Sequence, residues 1–226
     1  MINKFVNFLF PRICAGCDTQ LIDAEEVVCT YCLHRLAVYP EELQASAFAT
    51  TFYGRVNYEY VKTLFYFQRG TAAQQLIHNL KYRGQKYIGK FVGHWMANMI
   101  LAQEKNPYQF DAVVPVPLHP QRMRKRGYNQ IAGFGQIISE KLQLKYVDDV
   151  LFRRSKSASQ VFKNRLARTE MIEGGFYLKN SDKLKGKHVI LVDDLITTGS
   201  TIESCYLSLR KIEDLKLSIL SICLAR

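Results

Sequence analysis

The sequence predicts an α/β domain built on a mainly parallel sheet, preceded by a small four-cysteine module. Three observations predict it. Continuous apolar runs at 111–116 and 189–192, bounded by polar residues, suit strands buried on both faces of a parallel sheet. Segments with helical apolar spacing alternate with such runs, the order expected of an α/β domain. Four of the six cysteines sit near the start as Cys14-x2-Cys17 and Cys29-x2-Cys32.

The chain of 226 residues is long enough for one good core plus a small appendage. At 48% hydrophobic and 23% charged residues, its composition is that of an ordinary soluble globular protein. No apolar run approaches the roughly 20 residues that a membrane span needs, so no span is expected. The opening MINKFVNFLF places Ile2, Phe5, Val6, Phe8 and Leu9 at helical spacing, but Pro11 and Arg12 follow with no small-residue cleavage site. We expect a short helix packed on its own domain, and a cytoplasmic protein.

Residues 1–40 make up the cysteine module, and 40–60, with Pro40 and Gly54, read as a linker and lead-in. Val61–Phe67, rich in β-branched and aromatic residues, is predicted as a strand. Helical spacing marks Thr71–Lys81 through Ala72, Leu76 and Leu80, and Tyr87–Leu101 through Ile88, Val92, Met96 and Ile100. A buried strand follows over Asp111–Val116, then a helix over Ile131–Leu142 and a short strand over Val147–Phe152. Val189–Val192 is the clearest buried strand; Thr201–Ile212 reads as a helix and Leu217–Leu224 as the last strand. Cys205 and Cys223 lie in apolar surroundings and read as core thiols.

The net charge of +11 is concentrated. Between His119 and Arg168 twelve basic residues face three acids, so that stretch holds +9 of the total. Such a field suits a polyanionic partner better than a diffuse surplus does.

Chemistry is most legible in residues 189–201, VILVDDLITTGST. An apolar strand ends on Asp193 and Asp194, and a Thr/Gly/Ser loop leads into a helix. In open α/β sheets, ligands bind beyond the carboxyl ends of the strands. A helix N-terminus offers unpaired N–H groups and a positive dipole end to a phosphate. Gly199 allows tight curvature, and the hydroxyls of Thr197, Thr198, Ser200 and Thr201 add donors. The carboxylates cannot face a phosphate, but they can accept hydrogen bonds from a sugar diol. The spacing therefore asks for a sugar phosphate. Taken singly, an Asp pair is often a turn or cap, and TTGST a capped helix start. A Walker-type loop is excluded, since no Lys follows the glycine where it would be needed.

The run PVPLHPQRMRKRGYNQ, residues 115–130, follows a buried strand. That position suits a loop whose Arg122, Arg124, Lys125 and Arg126 neutralise a pyrophosphate leaving group, with Gly127 as a turn or hinge. A solvated basic loop is the plainer alternative.

Together these pieces resemble a known pattern. VILVDDLITTGST is similar to the thirteen-residue motif of type I phosphoribosyltransferases that binds 5′-phosphoribosyl diphosphate (PRPP). The resemblance implies a type I phosphoribosyltransferase-like parallel sheet flanked by helices over 55–226. It also implies that Asp193 and Asp194 hold the ribose hydroxyls, that Thr197, Thr198, Gly199, Ser200 and Thr201 cradle the 5′-phosphate, and that Mg²⁺ accompanies PRPP. Purine-salvage members often carry Asp at the position of Thr197; its absence removes a carboxylate general base there and lowers the weight of purine salvage.

The whole layout resembles the competence protein F (ComF) family. Members combine a four-cysteine module, a K-Y-x-G segment, a PVPLH…R-x-R-x-RG-x-NQ segment and a PRPP motif. Here these are Cys14 to Cys32, Lys81-Tyr82-Arg83-Gly84, Pro115 to Gln130, and 189–201. A further segment matches at Ser159-Gln160, Arg165, Arg168 and Phe176, with Met171 where the family usually has Asn. The resemblance implies a role in uptake or processing of single-stranded DNA during natural transformation. It makes Lys81, Arg83, Arg122, Arg124, Lys125, Arg126, Tyr128, Arg165 and Arg168 candidates for contact with pyrophosphate or DNA. Tyr128 is the aromatic best suited to stack on an unpaired base; Phe152 and Phe162 are expected in the core. Implied partners are PRPP, single-stranded DNA, and DNA-uptake, helicase or recombination proteins. The alternative is an active phosphoribosyltransferase in nucleobase or nucleotide salvage, displacing pyrophosphate at the anomeric carbon.

Two CxxC pairs can close a tetrahedral four-sulfur site, which favours structural zinc at Cys14, Cys17, Cys29 and Cys32 in a ribbon-like module. Disulfides or a redox CxxC are the alternatives, and a cytoplasmic setting disfavours disulfides.

Overall fold

The computed structural model describes residues 11–36, 38–103, 109–154 and 175–225. The expected N-terminal helix, and Ser159, Gln160, Phe162, Arg165, Arg168 and Met171, lie outside the described residues.

The apolar runs become neighbouring strands. Val189–Val192 is the middle of β6 (His188–Ile196), which pairs on one side with β7 (Lys216–Ala225) and on the other with β2 (Ala112–Pro115). β1 (Tyr60–Phe67) and the two-residue β3 (Lys145–Tyr146) complete a five-stranded sheet, order β1-β7-β6-β2-β3, in which every pairing is parallel. A second pair, β4 (Leu151–Arg153) and β5 (Phe176–Leu178), is antiparallel.

Successive strand side chains point to opposite faces, so an unbroken apolar run needs a core on each face. Val189 and Leu191 pack in one cluster with α2 (Glu41–Phe52) and α7 (Ser200–Leu209), through Phe48, Phe52, Ile202 and Cys205. Ile190 and Val192 pack in the other, against α3 (Ala72–Tyr82), α4 (Tyr87–Leu101) and α6 (Ala132–Lys141), through Leu76, Leu80, Met96 and Phe134. Cys205 and Cys223 are core thiols, as expected. Gly93 lets α4 and α6 approach closely: a Cβ there would lie 2.9 Å from Ile137 Cβ and 3.0 Å from the Phe134 carbonyl oxygen.

The structure corrects four readings. The supposed linker at 40–60 holds α2, and it covers the open edge of β1. Gln44 is buried there, accepting from Thr63 N at 3.0 Å and donating to Thr63 O at 3.2 Å and Tyr39 O at 2.9 Å, which satisfies strand groups that would otherwise be exposed. The basic run holds a short helix, α5 (Pro120–Arg126), and not a loop. Of the expected strand over 147–152 only Leu151 and Phe152 are extended, in β4; β3 ends before it, at Tyr146, and belongs to the other sheet. β6 also runs through the acid pair to Ile196, whereas its pairing with β2 stops at Pro115 opposite Val192.

The cysteine module begins with an antiparallel bridge between Ile13 and Gln20; α1 (Thr30–Arg35) starts just after Cys29, its N-cap, and carries Cys32. Cys14, Ala15, Leu21, Val27, Val28 and Leu36 join the same apolar cluster as α3. The buried Asn79 of α3 donates to Ala15 O at 2.9 Å, between the first two cysteines.

Candidate functional site

Alternation along β6 sends Asp193 and Asp194 to opposite faces of the sheet. Asp193 is next to Cys205 of α7 and feels Arg153 of β4; Asp194 is next to Cys223 and Lys81. Both acids are buried, at 8% and 3% exposure. Asp193 Oδ1 accepts the Asp194 backbone N–H at 2.9 Å. Burial first, and the neighbouring Asp194 charge second, push the Asp193 carboxyl well above the usual carboxylate range.

Asp194 is the meeting point of three segments. Lys81, in the last turn of α3, forms an ion pair with Oδ1. Gln130 donates its amide to Oδ2, and its own amide oxygen accepts from Arg126. A buried carboxylate requires partners, and these supply them. The K-Y-x-G segment, the end of the PVPLH segment and the acid pair thus form one network.

The glycine loop closes the site on the other face. Gly199 has a left-handed φ of 75° and is the N-cap of α7, and no side chain caps that helix. Its first-turn N–H groups therefore stay free of a side-chain acceptor, as an incoming anion requires. Thr197, Thr198 and Ser200 are exposed and Thr201 is half-buried; the Thr198 and Ser200 hydroxyls lie 3.2 Å apart. Gly199 is pressed onto α2: a Cβ would meet Phe52 Cε1 at 2.8 Å and Thr51 Cγ2 at 2.9 Å. Arg55, just after α2, donates to Thr198 O at 2.9 Å and to Glu203 of α7 through Nε at 3.1 Å.

A basic cavity of about 430 Å³ adjoins Asp194 on the Lys81 side. Lys81, Tyr82, Arg83, Gly84, Arg122, Lys125, Arg126 and Tyr128 line it. His119 caps α5, accepting from Gln121 N at 3.2 Å, and Gly127 ends it with φ 76°, so this glycine is a helix terminator. Arg122, Arg124 and Lys125 are exposed, and among the described residues no acid pairs with them. Arg83 instead bonds Asp18 of the cysteine module at 3.1 Å. Tyr128 donates its hydroxyl to Leu80 O, and Lys86 lies 4.8 Å over its ring, so one ring face is already covered. Phe152 is half-buried and stacks on Tyr177 at 5.5 Å. Lys145 is elsewhere, paired in register with Ala112 at the start of β2, at the opposite end of the sheet from the acid pair.

In the module, the four cysteine sulfurs lie within 4.8 Å of one another, and Cys17 and Cys29 Sγ are 3.6 Å apart. Tetrahedral Zn–S bonds of roughly 2.3 Å place sulfurs about 3.8 Å apart, so this donor set fits zinc. Backbone N–H groups of Gly16 and Cys29 donate to Cys14 Sγ at 3.3 and 3.2 Å, and Cys32 N–H to Cys29 Sγ at 3.4 Å. The Thr19 hydroxyl beside it holds the Cys17 thiol down to about 6.

Sequence reasoning missed Arg55 and Arg153 as site neighbours and gave Gln130 no role. Gln130 closes a segment already singled out; nothing in the local pattern marks the two arginines.

A parallel sheet with an acid pair and an uncapped glycine loop at its carboxyl edge defines a phosphoribosyltransferase-like α/β domain. Residues 132–225 match the phosphoribosyl transferase domain family. The chain is 31% identical over 129 residues to the DNA utilization protein YhgH of Escherichia coli K12, covering 56% of each chain. It is 29% identical over 141 residues to competence protein F of Haemophilus influenzae, covering 61% of each. The match thus spans little more than half the length of these curated relatives. Among solved structures, the glutamine PRPP amidotransferase of B. subtilis is 16% identical with a TM-score of 0.41, over 63% of this chain and 30% of that one. The named relatives and the phosphoribosyl transferase domain together support the resemblance of this chain to the ComF family.

Proposed function

We propose that this protein binds PRPP at the carboxyl edge of β6 and acts on single-stranded DNA in natural transformation. The observation that carries the reading is the convergence of Lys81, Gln130 and Asp194 beside an uncapped phosphate-type loop. In it, Asp193 and Asp194 hold the ribose hydroxyls, with Lys81 and Gln130 fixing Asp194. The loop from Thr197 to Thr201 takes the 5′-phosphate through its hydroxyls and the first N–H groups of α7. Arg122, Lys125 and Arg126 face the pyrophosphate from the basic cavity. Mg²⁺, when bound with PRPP, supplies further neutralisation of the pyrophosphate charge. Arg83, Arg124 and Tyr128, together with Arg165 and Arg168, extend this surface to a DNA strand. Residues 1–40 act as a structural zinc module and 55–226 as the PRPP-binding domain, in the cytoplasm. The names of the relatives, competence protein F and DNA utilization protein, point the same way.

A second reading is favoured by the size of the cavity: at about 430 Å³ it has room for a small acceptor base, as a salvage phosphoribosyltransferase requires. One experiment separates the two. Pyrophosphate release from PRPP is measured against a panel of nucleobases, with and without a single-stranded oligonucleotide, beside the oligonucleotide's affinity at rising salt. The DNA reading expects tight, salt-sensitive binding, with affinity falling steeply as several phosphate contacts are screened. Turnover with a free base, and oligonucleotide binding that is absent or indifferent to salt, would favour salvage and sink the DNA reading.

A further inference from the structure

The phosphate loop is held from outside the motif, by a residue of the segment that reads as a linker in the sequence. Arg55 follows α2 and makes three kinds of contact at once. Its Nη1 donates to Thr51 O at 3.2 Å and to Thr198 O at 2.9 Å. Its Nε donates to Glu203 Oε2 at 3.1 Å, and Nη2 completes a two-pronged ion pair with the same oxygen. The guanidinium thereby joins the end of α2, the glycine loop and the first turn of α7. Both charged side chains are about one-third exposed, 36% and 30%.

Two physical consequences follow. The first concerns orientation. The peptide plane is rigid, and in its trans form the carbonyl and the next N–H point opposite ways. No described peptide bond is cis. Holding Thr198 O toward Arg55 therefore turns the Gly199 N–H to the other side of the loop. The ring of Phe52 backs Gly199 at a distance that would not admit a Cβ, so the peptide cannot swing back through α2. The second consequence is electrostatic. Glu203 is the only acid in the first turn of α7. An unpaired carboxylate there would take up the favourable end of the helix dipole and repel an incoming phosphate. Arg55 neutralises it with a paired fork of N–H donors, a geometry that lysine cannot reproduce.

We propose that Arg55 is a positioning residue for the 5′-phosphate: it fixes the glycine loop in its anion-receiving form and cancels the Glu203 charge at the same helix end. This rests on the reading of residues 197–201 as the phosphate cradle. Arg55 acts through Thr198, Gly199 and Glu203 and is assigned no contact with the ligand. The pyrophosphate end of PRPP, which that reading places at the Lys81 side of the sheet, lies outside its reach.

That separation gives the test. Titration calorimetry on the full chain uses three probes: PRPP with Mg²⁺, ribose 5-phosphate, and Mg²⁺-pyrophosphate. In Arg55→Ala, affinity for PRPP and ribose 5-phosphate falls by about tenfold or more, the scale of lost hydrogen bonds to a charged group. Affinity for pyrophosphate stays at the wild-type value. Arg55→Lys, which keeps the charge, recovers part of the loss. In the Arg55→Ala background, Glu203→Gln also recovers part, because it removes the uncompensated carboxylate. A purely structural role predicts otherwise: all three ligands weaken together and Glu203→Gln recovers nothing. Either that pattern or unchanged ribose 5-phosphate affinity in Arg55→Ala overturns the proposal. Should Arg55→Ala fail to fold, Arg55→Lys carries the same comparison, and equal weakening toward ribose 5-phosphate and pyrophosphate overturns the proposal there. Wild-type protein that binds neither PRPP nor ribose 5-phosphate overturns the PRPP reading itself, and this proposal with it.

Discussion

Asp193 and Asp194 are adjacent in sequence but do different physical work. Asp194 is bonded by Lys81 and Gln130, whereas Asp193 is desolvated among the side chains beneath β6 and repelled by its neighbour. A carboxyl with a raised folded pKa binds more protons folded than unfolded. Its contribution to stability is therefore whole below the unfolded value of about 4 and is lost as pH rises through the folded value. Asp193→Asn abolishes that titration. Wild-type unfolding free energy should fall more steeply than the variant's between about pH 5 and pH 7, by up to about 1.4 kcal/mol per pH unit. Urea denaturation across that range measures it, and identical pH slopes would contradict the account. The acids and the loop were legible because the chemistry is compressed into thirteen neighbouring residues. Lys81 and Gln130 were named within quoted segments, but their meeting at Asp194 depends on how α3 and the start of α6 pack, which no local pattern encodes.

At the scale of elements, the parallel strands other than the two-residue β3, and helices α3, α4, α6 and α7, were legible from periodicity, and α4 has the predicted limits, Tyr87–Leu101. Outside the cysteine module, two helices were not. α2 carries small and polar residues on most of its surface, buries only Gln44, Phe48 and Phe52, and begins after a proline that looks like a breaker. Proline is in fact well tolerated around a helix start. α5 buries no residue at all, so no apolar face can reveal it; only its punctuation, Pro120 at the start and Gly127 at the end, is written in the sequence. The cysteine module is an element of a different kind. It has a few apolar residues of its own, and it reaches α3 through the Asn79 bond to Ala15 O and the Arg83 pair with Asp18. The four clustered cysteines could hold a metal ion, and a module this small that closes on a structural metal depends on that metal to fold. Purified protein should carry one zinc ion per chain. Stripping it with a strong chelator should lower the melting temperature in scanning calorimetry, and zinc added back should restore it. A melting curve indifferent to chelation would contradict a structural zinc site.

For the whole molecule, the charge pattern in the sequence is sorted by the fold into unlike parts. Arg122, Lys125 and Arg126 come together with Lys81 and Arg83 around one cavity, while Lys145 is sent to the far end of the sheet. The +9 of the central stretch is thus not one surface, a division that a linear count cannot see. What unites the molecule is the carboxyl edge of β6, where one face holds the acid partners and the other holds the glycine loop on α2. The central claim is that this edge binds PRPP. Titration calorimetry with PRPP and Mg²⁺ tests it most directly, on the wild type beside Asp194→Asn and Lys81→Ala. The account predicts saturable binding to the wild type, with one PRPP per chain, and affinity lowered by about tenfold or more in each variant that still folds. Absence of binding in the wild type, or equal affinity in wild type and Asp194→Asn, would contradict it.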